Sequence, residues 1–370
     1  MKSWHIWDFP DTIYIYLNDN FRNEFFTRIF EKTGGKRPYA RFVGLSQKTV
    51  KSYHQGYFHK NGIKYSQSIP ISLFKKSISL IDEELKNKLE NNIHFLKVSR
   101  KSFPILSPKL PIIESPAFYR IVAHMIGDGS VPKNHSPYYA NTCKELREQF
   151  KKDLQIFGDV KIHEAKTTTT PIVCFSKAIT DILSFILDVK FSYPDKIPKI
   201  IFQAPNECKS VFLQALFDDE GTISTNLAIS MNNYDLVKEI KELVIRLGIA
   251  TTNLSIKKSK LNGDNYSFSI SRKSFKDFSE KIGFTHPKKI FYLDAAIKTQ
   301  QRKQRTQPLK LTRDKIVKLL SAKQMSTLDL SKQLLLTVNG LYYHLNFLEN
   351  EGLIQRNGYK NKVFWTNSKA

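Results

Sequence analysis

Cysteine is scarce: Cys143, Cys174 and Cys208 are the only three in 370 residues, with no Cys-x-x-Cys pair among them. Spacings that wide support neither a disulfide framework nor a thiolate zinc site. No apolar run approaches the roughly 20 residues that cross a bilayer. The stretch from Met1 to Asn20 carries Asp8, Asp11 and Asp19 where a signal peptide would be basic and then apolar. These absences lead us to expect a soluble, cytoplasmic protein. Acidic residues are also outnumbered, 34 against 58 Lys and Arg, for a net charge of +24. That excess excludes a self-solvating acidic chain and points to a polyanionic partner, because clustered cations attract phosphate and release its counterions. With 41% hydrophobic and 12% aromatic residues, the charge should ride on folded modules.

The length exceeds one ordinary domain of roughly 100 to 200 residues. Pro104, Pro108, Pro111 and Pro116 disfavour a long helix between Ser99 and Pro116 and suggest a seam near residue 110. Thr299–Lys310 (TQQRKQRTQPLK) is polar and basic and reads as a linker. Three regions follow: 1–110, 111–300 and 301–370. The middle one repeats itself. An apolar helical segment ends in Gly127-Asp128-Gly129 and another in Asp219-Glu220-Gly221. Each is followed by a strand-like stretch and an amphipathic helix closing on Phe157-Gly158 or Leu247-Gly248. A lysine close to a proline comes 68 residues after each acid, Lys196 after Asp128 and Lys288 after Glu220. Two copies of one unit, about 111–205 and 206–300, is the simplest account.

The segments Ile121–Gly129 (IVAHMIGDG) and Leu213–Gly221 (LQALFDDEG) resemble the two motifs of the LAGLIDADG homing endonuclease family. The resemblance implies an α+β fold in which two pseudo-symmetric αββαββα halves form a saddle over double-stranded DNA, in a monomer. It also implies that Asp128 and Glu220 are catalytic metal ligands for Mg²⁺ or Mn²⁺, serving hydrolysis of phosphodiesters in both strands. Hard cations suit such carboxylates, which would otherwise repel each other. Lys196 and Lys288 match the basic residues that the family keeps near its active sites. Lys177 and Lys273 are further candidates, and all four read equally as solvated surface lysines. Ala123 and Gly127, one turn apart, would let a partner helix approach, while Leu213, Leu216 and Phe217 face the flanking core. Gly129 and Gly221 suit left-handed helix caps. The chain departs from the family at Ala123, usually Gly, at His124, usually apolar, and at Asp219, usually small. A polar group in that seam must find a partner or cost stability.

Candidate strands are Tyr138–Asn141, Ile172–Ser176, Leu227–Met231, Leu254–Lys258 and Tyr266–Ile270. The loop Lys257–Asn265 (KKSKLNGDN) brings Lys257, Lys258 and Lys260 as phosphate contacts. In region 1–110, Pro38–Gly56 resembles a helix-turn-helix, with a turn at Gly44, a cap at Ser46 and Val50 and Tyr53 inward. Gln47, Lys48, Thr49, Lys51 and Ser52 would then face DNA. Ile71–Leu80 and Glu83–Asn91 read as supporting helices, so this flank is expected to be mainly helical. Leu311–Thr366 resembles a winged helix: Thr312–Leu320, Thr327–Leu334, a recognition helix over Val338–Glu349 and a wing turning at Asn357-Gly358. Thr337, Asn339, Tyr342, Tyr343, Arg356 and Lys360 would approach DNA.

Two functions compete. One is a site-specific homing-type endonuclease; the other is a transcription regulator on a LAGLIDADG scaffold, with little or no cleavage. Such regulators have generally lost the acids, which this chain retains. An intein-borne enzyme is disfavoured by Met1 and by the ending Ser368-Lys369-Ala370, and a maturase acting on RNA stays open. Lys+Arg minus Asp+Glu is 19 − 9 = +10 for residues 1–110, 26 − 21 = +5 for 111–300 and 13 − 4 = +9 for 301–370. Most of the excess belongs to the flanks.

Overall fold

A computed structural model describes residues 2–58, 64–65, 67–99, 102–223, 226–258, 263–301, 309–334, 336, 338–358 and 363–368. The chain divides into two compact units, Met1–Asp219 and Glu220–Ala370.

The first unit begins with a helical cluster: α1 (Asp19–Thr33), α2 (Lys36–Val43), α3 (Gln47–Gln55), α4 (Ile71–Ser77) and α5 (Glu83–Asn91). The turn between α2 and α3 uses Gly44 at φ 71°, a left-handed conformation that costs glycine little. Ser46 then caps α3 by accepting from the Thr49 amide at 3.0 Å. Phe25, Phe26, Tyr39, Val50 and Phe74 are buried within this cluster. The helices are joined by a five-stranded sheet that the sequence reading lacked. In spatial order its strands are Asp159–Val160, Ile105–Leu106, Ile93–Lys97, Tyr14–Leu17 and Ile69–Pro70. Backbone pairing also bridges the proline-rich seam near residue 110. Ser3–Trp4 pairs with Ile112–Ile113, and Trp4 stacks on Phe118 at 4.9 Å.

The rest of this unit is α6 (Pro116–Ile126), α7 (Lys144–Asp153), α8 (Lys177–Leu187), α9 (Lys199–Gln203) and α10 (Asn206–Glu220) up to Asp219, with one four-stranded sheet. Ser115 caps α6, and Pro116 sits at its first position, where no amide partner is needed. Every residue from Ile121 to Ile126 is buried, so α6 is a core helix rather than a surface one. Burial of each large apolar side chain contributes about 1.5–3 kcal/mol. Arg120 fastens α6 to α7 through a two-pronged pair with the buried Asp153, both contacts at 2.7 Å.

The second unit holds another four-stranded sheet, with α11 (Tyr234–Arg246), α12 (Phe275–Lys281) and α13 (Pro287–Gln301). In the first unit the strands come in chain order as Gly129–Ser130, Tyr138–Ala140, His163–Lys166 and Pro171–Cys174; in the second, as Gly221–Ile223, Leu227–Met231, Ser255–Lys257 and Asn265–Ser269. Across both sheets the order is first, second, fourth, third, and every pairing is antiparallel. All five candidate strands are present within a residue or two at their ends. Identical topology around each acid-bearing helix end is the repeat read from the sequence.

The second unit closes with α14 (Leu309–Ala322), α15 (Thr327–Leu334) and α16 (Val338–Asn350), with strands Met325–Ser326, Ile354–Asn357 and Phe364–Asn367. Leu330, Leu341, Leu345, Ile354 and Trp365 form its core, and Trp365 donates its indole N–H to Thr327 at 2.9 Å. This is the winged-helix order. The ends of the expected linker, Thr299–Gln301 and Leu309–Lys310, are helical, and residues 302–308 lie outside the described set.

Candidate functional site

Asp128 lies one residue beyond Gly127, where α6 ends, and just before the strand Gly129–Ser130. The left-handed caps expected at Gly129 and Gly221 are corrected: neither is among the glycines with positive φ, and each instead opens a strand. Gly129 is required by space, since a Cβ there would fall 2.5 Å from the Met125 Cα. Gly127 serves the close helix approach expected of it, because a Cβ would stand 2.9 Å from the Cβ of Asp219 on α10. Leu213, Leu216 and Phe217 are fully buried on α10.

The two polar departures in this seam are partners. His124 Nδ1 lies 2.8 Å from Asp219 Oδ2, with the two side chains 2% and 0% exposed. Asp219 Oδ1 accepts from the Tyr139 hydroxyl at 2.7 Å and from Asn141 Nδ2 at 3.2 Å. Asn141 Nδ2 also donates to Asp128 Oδ2 at 2.9 Å. Burial alone pushes the His124 imidazole down, and the Asp219 carboxylate, aided by Asp218 and Asp153, more than reverses this, so its pKa is raised. The Tyr139 phenol is pushed up by burial and by the same carboxylate. Tyr139 and Asn141 had no role in the sequence reading. Their only signal was membership of the strand following Asp128.

Glu220 is the last residue of α10 and precedes the strand Gly221–Ile223. Lys196 ion-pairs with Asp188 at 2.7 Å, the Asp188 carboxyl being held below its usual range by that contact. Lys288 is exposed in the first turn of α13, and Lys273 is exposed in a short 3₁₀ turn. Lys177 begins α8 and lines an open cleft of about 590 Å³ with Ser130, Lys133, Asp181, Lys190 and Tyr193. Burial raises the Asp181 carboxyl there, against the opposing pull of Lys177.

Among the described residues no group of three or more His, Cys, Asp or Glu side chains could hold a metal ion. Asp219 Oδ1 accepts from Tyr139 and Asn141 and its Oδ2 lies against His124, whereas Asp128, whose Oδ2 accepts from Asn141, is the carboxylate at the end of α6 that could hold a divalent cation. A donor set that small suits Mg²⁺, which commonly binds through one or two carboxylates while substrate phosphates and water complete its shell.

Of the DNA-facing candidates, Gln47, Lys48 and Lys51 are exposed on α3, whereas Thr49 and Ser52 are half-buried and Ser52 is bonded to Gln67. Lys257 and Lys258 are exposed at and beyond a strand end. Tyr343 is exposed on α16, Tyr342 half-buried on it, and Arg356 exposed on the following strand. Asn339 lies in α16. Thr337, Lys260 and Lys360 fall outside the described residues. No described helix is long and apolar enough to cross a membrane.

Residues 207–283 match the family model of the LAGLIDADG-like domain, and residues 311–356 match that of the bacterial regulatory protein arsR family. The chain thus contains a LAGLIDADG-like domain and an ArsR-type helix-turn-helix. It is 27% identical over 270 residues to a glutamine–fructose-6-phosphate aminotransferase of Methanocaldococcus jannaschii, covering 69% of this chain and 24% of that protein. It is 28% identical over 222 residues to a probable translation initiation factor IF-2 of Thermococcus kodakarensis, covering 56% and 18%. The chain therefore spans a quarter or less of these relatives. Among solved structures, I-DmoI with DNA and Mn is similar at TM-score 0.37 and 18% identity, over 45% of this chain and 96% of that one. Full-length WhiA from Thermatoga maritima is similar at TM-score 0.36 and 14% identity, over 64% and 90%.

Proposed function

We propose that this chain is a site-specific DNA endonuclease of the homing type that hydrolyses phosphodiesters of both strands with a divalent metal, Mg²⁺ or Mn²⁺. The observation that carries the reading is the repeat: two sheets of one topology, each beginning directly after a retained acid, Asp128 or Glu220. In this reading regions 1–110 and 301–370 are DNA-binding arms flanking a nuclease of residues 111–300. The chain acts as a monomer, because one polypeptide supplies both halves. A cation held by either carboxylate would supply positive charge against a scissile phosphate and its leaving oxygen. Asp128 binds and orients it; Asn141 holds that carboxylate; Lys177, Lys196, Lys273 and Lys288 are candidates to offset charge nearby. Gln47, Lys48 and Lys51 on α3, Lys257 and Lys258 on the second sheet, and Tyr343 and Arg356 on the winged helix are proposed to meet DNA. The Gln47 amide and the Tyr343 ring would contribute contacts, and the cations phosphate attraction.

The match of residues 311–356 to a regulatory-protein family supports the second reading, a transcription regulator. Incubation with a randomised duplex library and Mg²⁺ separates the two. The nuclease yields cut ends, and Asp128→Asn or Glu220→Gln abolishes cutting while leaving duplex binding within about threefold. A wild-type protein that binds duplex tightly and never cuts is a regulator.

A further inference from the structure

The seam's polar residues form one connected network that ends on Asp128. Asn141, 8% exposed, follows the strand Tyr138–Ala140. Its Oδ1 accepts from the Cys143 amide at 2.9 Å, and its backbone carbonyl accepts from Arg147 at 2.7 Å. With Oδ1 committed, the amide nitrogen must face the other way, where its two hydrogens meet two carboxylates: Asp128 at 2.9 Å and Asp219 at 3.2 Å. Asp219 is itself immobilised by His124 and Tyr139, and it fits only because Gly127 has no side chain. The main chain of Asp128 is tied to the same strand, its carbonyl accepting from the Ala140 amide at 3.1 Å.

We propose that Asn141, anchored by the buried His124–Asp219 pair, is a positioning residue that fixes the Asp128 carboxylate for its divalent cation. This inference rests on the endonuclease reading. A neutral amide is suited to the role: it orients the carboxylate through one oxygen and, unlike lysine or arginine, brings no positive charge to compete with the metal. Groups that orient a metal-binding carboxylate typically matter by about 10–100-fold in affinity or rate.

The test compares wild type with Asn141→Ala, Asp219→Ala, their double variant and the near-isosteric Asp219→Asn. Three quantities are read: single-turnover cleavage, Mn²⁺ affinity from the paramagnetic signal of free Mn²⁺, and duplex affinity in Ca²⁺. Asn141→Ala should weaken Mn²⁺ binding and slow cleavage by about 10–100-fold, with duplex affinity within about threefold of wild type. Asp219→Asn keeps the acceptor for Asn141 and Tyr139 but turns an amide NH2 toward His124 Nδ1 and so breaks the anchoring pair; its Mn²⁺ affinity should fall between those of wild type and Asp219→Ala. The double variant should be no worse than Asn141→Ala, because Asp219 acts through Asn141. Equal Mn²⁺ affinity in wild type and Asn141→Ala overturns the proposal, as does a loss of duplex binding that parallels the loss of cleavage. A wild type that never cuts sinks the endonuclease reading alone, and the Mn²⁺ comparison still decides this one.

Discussion

His54 shows how one side chain makes stability depend on pH. It packs against Phe26 and Phe30 at ring separations of 5.5 and 5.4 Å. Burial lowers its pKa, and Lys36 and Arg22 push the same way. The folded state therefore binds the proton less readily than the unfolded chain. Stability from the neutral ring is present above the unfolded value of about 6.5 and is lost as pH falls through the lowered folded value. The fall in denaturant midpoint from pH 7.5 to pH 5 should be larger in the wild type than in His54→Phe. A drop of equal size in both proteins would contradict this. Gly127 makes the complementary point about space. Gly127→Ala would press a methyl against Asp219 and should cost about 1–3 kcal/mol in urea unfolding; an unchanged midpoint would mean that the seam can open without penalty.

Among the elements, α3 presents the exposed Gln47, Lys48 and Lys51 to a duplex in the proposed reading, and its start is set by one hydroxyl. Ser46→Ala should cost about 1 kcal/mol and lower duplex affinity through fraying of the first turn, where Gln47 and Lys48 sit. Thermal midpoint and duplex affinity measured together check this, since a cap with no bearing on DNA would move only the first. Helix and strand positions were legible from local pattern where burial is one-sided. Leu227 and Ile229 alternate with half-buried Ala228 and Ser230, and the strand appears at Leu227–Met231 as read. The strand-like stretch read after each acid had no bounds, because Gly129–Ser130 and Gly221–Ile223 are too short to show a period, and Tyr14–Leu17 was missed because flanking apolar residues blur its alternation.

At the scale of the molecule the +24 charge is unevenly spread, and the strand carrying Lys257 offers a direct measure of its use. If Lys257 and Lys258 each neutralise one phosphate, the double change to Ala should reduce the slope of log affinity against log salt by about 1.8, at 0.9 per contact. An unchanged slope would remove this sheet edge from the DNA interface. Charge by itself states how strongly a duplex is attracted and leaves open what is then done to it. The proposed hydrolysis rests on the repeated topology and the two acids. The match to a regulatory-protein family over 311–356 is why the cleavage assay must include a binding arm.

The sequence by itself determined the basic character, the two-copy organisation and the acid in each copy, because composition, motif and a shared offset of 68 residues are properties of the chain read in order. It also marked His124 and Asp219 as residues in need of partners. Only the tertiary structure decided that they answer each other across 95 residues, and that Asn141 joins their pair to Asp128. Hydrogen bonds between distant segments follow from how α6, α10 and the sheet pack. No local periodicity encodes which buried donor will meet which buried acceptor once water is excluded.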